Sequence, residues 1–222
     1  MIARREWAHA AAAALVLTFA GCGSVPTQNY YVLTPLAATT SGAAAGVGSG
    51  GGAIANPVRY VIQVDAAHVP EAVDRPQLVI ANSDNRVTIL EQQRWAAPLR
   101  AAIAEVIALD LGRLLEGASV TAAPLDTVTA DAYMLSLDVQ RFDSRPGDSV
   151  SIEIAWTLRR GGADAGRDSR IGRSSIREPV VGSGYDAIAI AHSKALATIS
   201  REIAASIDSA ALAPQRPRVP AL

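Results

Sequence analysis

The sequence predicts an α+β domain with a largely antiparallel sheet and two amphipathic helices packed on one face. Two segments, 133–140 and 150–159, alternate apolar and polar residues with the period of a half-buried strand. Two other segments, about 94–116 and 185–209, carry apolar residues at helical spacing. Turn-forming residues at 143–149 join the two alternating segments directly, which favours an antiparallel hairpin.

The first 21 residues have the organisation of a bacterial signal peptide. Arg4 and Arg5 give it a positive start, and residues 10–20 form an apolar run. This run is shorter than the roughly 20 apolar residues that a helix needs to cross a bilayer. We therefore expect residues 1–21 to direct export and to be removed.

The apolar run ends at a cysteine preceded by small residues, in the order Phe19-Ala20-Gly21-Cys22. This resembles the bacterial lipobox, although Leu is usual at the position of Phe19. Cys22 is the only cysteine of the chain, so we predict lipid attachment there. Gly23, rather than Asp, favours the outer membrane and its periplasmic face. The alternative is an ordinary secretory signal with a chance cysteine.

Composition limits the possible functions. The formal net charge is −1, with no clustered basic face of the kind that nucleic-acid binding requires. A single cysteine allows no internal disulfide, so stability must come from an apolar core. The chain is long enough for one domain of ordinary size.

Residues 22–36 form the predicted acylated N-terminus and contain the pair Tyr30 and Tyr31, followed by Val32 and Leu33. The pair either forms a first strand of the sheet or belongs to an adhesive segment that orders on binding. Residues 37–57 are mostly Ala, Gly, Ser and Thr and are predicted to be a flexible insert. The true tether would then be the few residues between Cys22 and the tyrosines.

The predicted domain occupies residues 58–210. It opens with a strand at 60–64, and two short apolar runs, 78–80 and 87–90, flank the turn-forming residues 82–85. We expect these two runs to pair as a hairpin.

The first predicted helix begins near Arg94 and ends before Gly117, with Pro98 in its first turn, where proline is tolerated. Trp95 would lie at the start of this helix, where it either packs inward or acts as an interface anchor, because tryptophan is enriched at binding hot spots. Trp95, Pro98 and Leu99 are therefore candidate interaction residues, together with Tyr30 and Tyr31.

After the two alternating strands, residues 167–178 form a polar segment that suits an edge strand. The second helix is predicted at 185–209, with Ser183 as its N-cap. Three prolines make residues 211–222 an extended tail.

Catalytic patterns are scarce in the mature part of the chain. His68 lies in a loop near Glu71 and Asp74, which allows a hydrolase hypothesis, and His192 lies on the apolar stripe of the second helix. No two histidines have metal-ligand spacing, and no segment calls for a cofactor. We expect a protein that is not an enzyme and that holds neither metal nor cofactor.

Several short segments together resemble the ABC-type transport auxiliary lipoprotein family. They are Tyr30-Tyr31-Val32-Leu33 soon after the predicted lipidated cysteine, then residues 62–64, 69–79, 94–99, 191–196 and 199–204. The likeness covers nearly the whole mature chain except the Ala/Gly-rich insert.

The resemblance implies an auxiliary role in lipid traffic across the cell envelope. Its partners would be a mammalian-cell-entry (MCE) domain protein directly and an ABC permease and ATPase indirectly. Members are thought to dock MCE assemblies at the outer membrane, and homo-oligomerisation is a further expectation. The alternative is a lipoprotein that itself binds lipid and carries it between membranes.

Overall fold

A computed structural model describes residues 27–37, 58–122, 132–161 and 169–207. The predictions for the signal peptide, Cys22, the insert from residue 38 onwards and the proline-rich tail lie outside these residues. The elements in chain order are β1 Asn29–Tyr31, β2 Tyr60–Val64, β3 Gln77–Ser83, β4 Arg86–Trp95, α1 Leu99–Leu114, β5 Ala118–Thr121, β6 Tyr133–Arg145, β7 Ser149–Arg160, β8 Arg170–Pro179 and α2 Tyr185–Ser206. The predicted α+β class is confirmed.

The strands form two sheets, so the prediction of one sheet was wrong. The smaller sheet has the order β1-β4-β3, and the larger has the order β5-β2-β6-β7-β8. The three longest pairings, β3–β4, β6–β7 and β7–β8, are antiparallel hairpins, the first two as predicted. Strand β8 lies at the edge of the larger sheet, as predicted for the polar segment. The pairings of β1 with β4 and of β2 with β5 and β6 are parallel. Parallel pairing needs a long crossover, which the chain between β2 and β5 supplies through the β3–β4 hairpin and α1.

The main core lies between the five-stranded sheet and the two helices. Helix α1 contacts β2 and β5, α2 contacts β7 and β8, and the helices contact each other. The alternation along β6 and β7 sends one set of side chains into this core: Leu135, Leu137, Val139, Ile152, Ile154 and Leu158. Each such side chain contributes about 1.5–3 kcal/mol by leaving water. The predicted period of two is thereby confirmed.

The β3–β4 hairpin turns at Asp84 and Asn85, as predicted. Its pairing shifts abruptly, because Gln77 pairs with Arg94 whereas Leu78 pairs with Leu90. The three unmatched residues of β4 form a bulge that reverses which face the following side chains occupy. Trp95 therefore points into the core, although it would otherwise share a face with the exposed residues earlier in β4.

Helix α1 begins at Leu99, so the prediction of a helix from Arg94 was wrong at its start. Backbone hydrogen bonds keep the chain extended up to this point: Trp95 N–H donates to Pro76 at 2.7 Å and Ala96 N–H donates to Tyr31 at 2.8 Å. Pro98 is the N-cap, with φ −53° and ψ 126°, outside the first turn. Proline also disfavours a helical conformation in the residue before it.

Helix α2 begins at Tyr185, as predicted, but Ser183 is not its cap. The N-cap is Gly184, whose φ of 103° suits glycine, and no side chain among the described residues caps the helix. A Cβ at this position would come within 2.5 Å of the Asp186 carboxylate, so the tight entry depends on glycine.

Candidate interaction site

Strand β1 places the tyrosine pair beside the end of β4. Tyr30 pairs with Arg94 and Tyr31 with Trp95 in parallel register. The Tyr31 hydroxyl donates to Gln93 Oε1 at 2.5 Å, while the Tyr30 ring is exposed. Burial raises the pKa of the Tyr31 phenol, with smaller contributions from Asp186 and Tyr185. The tyrosine pair therefore forms the first strand of a sheet, which was one of its two predicted roles.

Trp95 belongs to a buried aromatic group under this end of β4. Its ring meets Phe142 edge-on at 6.1 Å and His192 at 6.0 Å between centroids. Phe142 and His192 stack in parallel at 3.9 Å. Such pairs add about 0.5–1.5 kcal/mol each beyond simple burial. The packing therefore uses Trp95 as a core residue.

A cleft of about 370 Å³ lies above this group, between the loop that precedes β3 and the turn that follows β4. We call it the docking cleft, and its lining residues are Asp74, Arg75, Pro76, Trp95, Ala96, Ala97, Pro98 and Leu99. Arg100 of α1 forms an ion pair with Asp74 of the lining. Most of the lining is apolar or backbone, with charge confined to Asp74 and Arg75.

The five candidate interaction residues thus come together at one end of β4 but differ in accessibility. Trp95 and Leu99 are buried, at 6% and 1% exposure, and can only form the floor of a contact. Pro98 is exposed, Tyr30 is 61% exposed and Tyr31 is half-buried. Of the five residues, Tyr30 and Pro98 are therefore the most accessible to solvent.

Residues 27–37 form a strap that continues from β1 across both helices. Leu33 is buried, and Thr34 N–H donates to the Ser193 hydroxyl of α2 at 3.0 Å. Leu36 N–H donates to Asp110 Oδ1 of α1 at 2.6 Å, and the Arg113 guanidinium donates to the Leu36 carbonyl. The strap is therefore part of the folded domain.

Asp110 is the fully buried carboxyl under this strap. Burial raises its pKa above the ordinary value, while the Leu36 N–H, the Ser200 hydroxyl, Arg113 and Arg201 act in the opposite direction. An acceptor so deeply buried costs stability unless it is hydrogen-bonded, so the strap and the helix stabilise each other.

The two histidines that were considered as functional residues lie in different environments. His192 is fully buried, its Nε2 and the Ser144 hydroxyl form a hydrogen bond at 2.8 Å, and burial lowers its pKa to about 3. It is a packed residue, as the apolar stripe indicated. His68 is exposed, and its backbone bonds with Leu137 and Val139 of β6. Within the described ranges, no three His, Cys, Asp or Glu residues lie close enough to hold a metal.

Sequence reasoning did not find Asp110 and Ser193 as partners of the strap. One signal was present for Asp110, since a carboxylate stands among Ala108 and Leu111 on the apolar face of its helix. A charge on such a face needs a buried partner. That partner is a backbone amide, which nearly every residue carries, so the pattern could not identify it.

In the part of the chain that the structure describes, no helix is long and apolar enough to cross a membrane. The fold and the strap define a class: a two-sheet α+β domain whose N-terminal segment, a few residues after Cys22, is built into its surface. The model of the family described as "ABC-type transport auxiliary lipoprotein component" matches residues 40–204, and the chain belongs to this family. Membership implies a membrane-anchored protein.

Two solved structures are similar in fold. One uncharacterised protein is 21% identical with a TM-score of 0.64, covering 82% of this chain and 99% of its own. A protein from Xanthomonas campestris is 17% identical with a TM-score of 0.54, covering 80% of this chain and 92% of its own. The curated proteins gave no match.

Proposed function

We propose that this protein is a non-enzymatic docking subunit of an MCE-type lipid-transport system, anchored to the outer membrane through Cys22 and facing the periplasm. The observation that carries the proposal is the placement of the docking cleft relative to the anchor. The chain enters β1 from the side on which β4 starts, whereas the cleft lies where β4 ends. The cleft and the incoming chain are thus on opposite sides of β1, which pairs with the last three residues of β4.

The chemistry of the cleft suits a protein partner. Its floor is rigid, because Trp95 and Leu99 are fixed by the core. Its rim presents an exposed proline, Pro98, beside a charged pair, and the exposed ring of Tyr30 lies nearby on β1, paired with Arg94. Aromatic residues with an apolar body and one polar end are enriched at protein interfaces. The partner that we propose is the MCE-domain protein, with the ABC permease and ATPase reached through it.

Site-specific photo-crosslinking tests the docking role. A photoreactive residue replaces Tyr30 or Pro98 in the acylated protein, and the matched control position is Ile171, which is 76% exposed on β8. We expect the first two positions to capture an MCE-domain protein in native membranes and the control to capture none. Equal capture at all three positions, or none at any, would contradict the proposal.

The anchor has a separate test. Cys22→Ala removes the only thiol of the chain, so we expect it to abolish acyl labelling and to release the protein from the outer-membrane fraction. A variant that still fractionates with the outer membrane would contradict the anchor.

Native mass spectrometry of the purified protein addresses the carrier hypothesis and self-association together. Docking predicts no stoichiometric phospholipid, whereas a carrier would retain one lipid for each chain. We also propose a homo-oligomer, which the same spectrum would detect as a multiple of the chain mass.

A further inference from the structure

The distance between the anchor and the fold is short. The described strap begins at Thr27, only a few residues after Cys22. A fully extended chain of about five residues spans at most about 18 Å. A domain of this size is roughly 40 Å across, on the basis of its expected radius of gyration. The acyl chains therefore cannot pass around the domain, and the membrane must face the side on which the strap begins.

The register of β1 identifies that side. Because β1 runs parallel to β4 and Asn29 pairs with Gln93, the strap approaches from the direction of Arg86. Three residues of β4 bulge out, so β3 measures the distance from Arg94 to the hairpin turn: the six steps from Gln77 to Ser83 span about 20 Å. The strap therefore enters the fold from the direction of the β3–β4 hairpin, and the short tether keeps this hairpin within reach of a membrane that holds Cys22.

This hairpin carries an exposed apolar face. Val87 is 57% exposed and Ile89 is 39% exposed, and they pair with Ala81 and Val79 of β3. These four residues lie opposite to Leu78 and Ile80, which face the core. Other exposed large apolar residues, such as Ile171 and Val181, lie on separate elements.

The charges beside this face suit a phospholipid surface. Arg86 begins β4 and is exposed, next to Val87. At the turn itself, Asp84 is paired with Arg145 at 2.6 Å, and this contact lowers the pKa of the Asp84 carboxyl. The acidic residue of the turn is thus matched by a cation, and Arg86 adds a further positive charge that phosphate headgroups would attract. Glu91, two residues after Ile89, accepts a hydrogen bond from Gln77 Nε2 at 3.2 Å.

We propose that the outer face of the β3–β4 hairpin, formed by Val79, Ala81, Val87 and Ile89, rests on the phospholipid bilayer and fixes the orientation of the domain on the membrane. The acyl anchor attaches the protein to the membrane, while the hairpin sets the orientation of the domain relative to the membrane. The docking cleft at the far end of β4 is then held away from the membrane. This inference rests on acylation of Cys22, which is part of the proposed function, but it does not require the MCE partner.

The test uses the acylated protein in partner-free liposomes of phosphatidylethanolamine and phosphatidylglycerol. Because acylation leaves the native chain with no free thiol, Val87→Cys or Ile171→Cys provides a single site for an environment-sensitive fluorophore. Both positions are exposed β-branched residues on strands, so Ile171 is the matched control. We expect a lipid-borne quencher to reduce the signal at position 87 at least threefold more than at position 171. Aqueous iodide should show the reverse order.

Two results would overturn the inference while mass spectrometry shows intact acylation. One is equal quenching at the two positions. The other is protection of position 87 in native membranes but not in liposomes, which would assign the hairpin to a protein partner.

Hydrogen exchange of the unlabelled acylated protein avoids any effect of the fluorophore. We expect at least tenfold slower exchange in residues 84–90 on liposomes than in detergent, with β8 unchanged. Equal rates in residues 84–90 would contradict the proposal. Because no MCE protein is present, failure here is distinct from failure of the crosslinking test.

Discussion

The two ends of strand β4 are built from similar apolar residues but have opposite environments. At the start, Val87 and Ile89 are exposed on the outer face of a hairpin, and at the end, Trp95 is almost fully buried against Phe142 and His192. The difference arises from a three-residue bulge between them and from the pairing of β1 with the end alone. Burial along a strand is therefore decided by its neighbours rather than by the hydrophobicity of each residue.

The largest expected effect is at the buried end. Trp95→Ala removes the ring that packs on Phe142 and His192, and we expect a loss of about 3–5 kcal/mol in the free energy of unfolding. Val87→Ala is the matched change at the exposed end and should stay within about 0.5 kcal/mol. Urea unfolding measures both. Losses of similar size would show that the two ends are not distinct.

The second effect is a pH dependence located at the buried end. His192 has a pKa of about 3 in the folded protein, against about 6.5 when unfolded, so the unfolded chain binds the additional proton. Its contribution is fully present above about pH 6.5 and is lost as the pH falls towards 3. When the pH falls from 7 to 4, we expect the free energy of unfolding of the unaltered protein to decrease by about 3 kcal/mol more than that of the His192→Gln variant.

Comparing the unaltered protein with His192→Gln separates the effect of His192 on the pH dependence of stability from the effects of other buried titratable groups. Asp110 has a raised pKa, so its own contribution has the opposite sign, falling as the pH rises from its ordinary value through its folded value. This contribution is common to the chain and to His192→Gln. A slope that survives His192→Gln would assign the acid sensitivity elsewhere.

The third effect concerns the strap, which runs from the end of β4 across both helices. Asp110→Ala leaves the Leu36 N–H without its acceptor, and we expect a loss of about 1–3 kcal/mol. Asp110→Asn retains an acceptor oxygen and should cost less. Hydrogen exchange at Leu36 should accelerate in Asp110→Ala and remain slower in Asp110→Asn. Unchanged exchange in both would show that the strap does not depend on this bond.

The smallest effect is at the exposed end. The double substitution of Val87→Thr and Ile89→Thr keeps β-branched side chains in the strand while removing apolar surface. Because both residues are exposed, we expect a change within about 0.5 kcal/mol, or roughly 1–2 °C in Tm. Calorimetry in the absence of lipid measures it. A loss of several kcal/mol would place these residues in the core and remove the distinction between the ends of β4.

The sequence patterns predicted the parts of the fold that depend on local periodicity. The hairpin of β6 and β7, the β3–β4 turn and the start of α2 lie where alternation and turn residues placed them. The start of α1 was misplaced by five residues, from Arg94 to Leu99. Residues 94–98 fit the apolar spacing of a helix, but hydrogen bonds to Tyr31 and Pro76 keep this segment extended. Those partners are distant in the chain, so no local pattern could reveal them.

The candidate site could likewise be predicted only in part. The tyrosine pair and the segment from Trp95 to Leu99 were singled out by residue type, and the structure brings them together at the end of β4, where the second segment lines the cleft. Their division into floor and rim could not be predicted, because it depends on the bulge in β4 and on the strap. The contact between Asp110 and the Leu36 N–H was missed for a related reason, since a backbone donor has no signature of its own.

The sequence by itself determined the α+β class, the strand periodicities, the apolar stripes of two helices and the single cysteine on which an anchor can form. These are properties of composition and spacing, and they follow from the fixed geometry of helices and strands. The tertiary structure alone decided that the sheet divides in two, that three pairings are parallel and that the strap crosses both helices. It also decided which end of β4 is buried. Each of these features depends on contacts between residues that are far apart in the chain. Forming such contacts costs loop-closure entropy, which is offset only when the whole core forms.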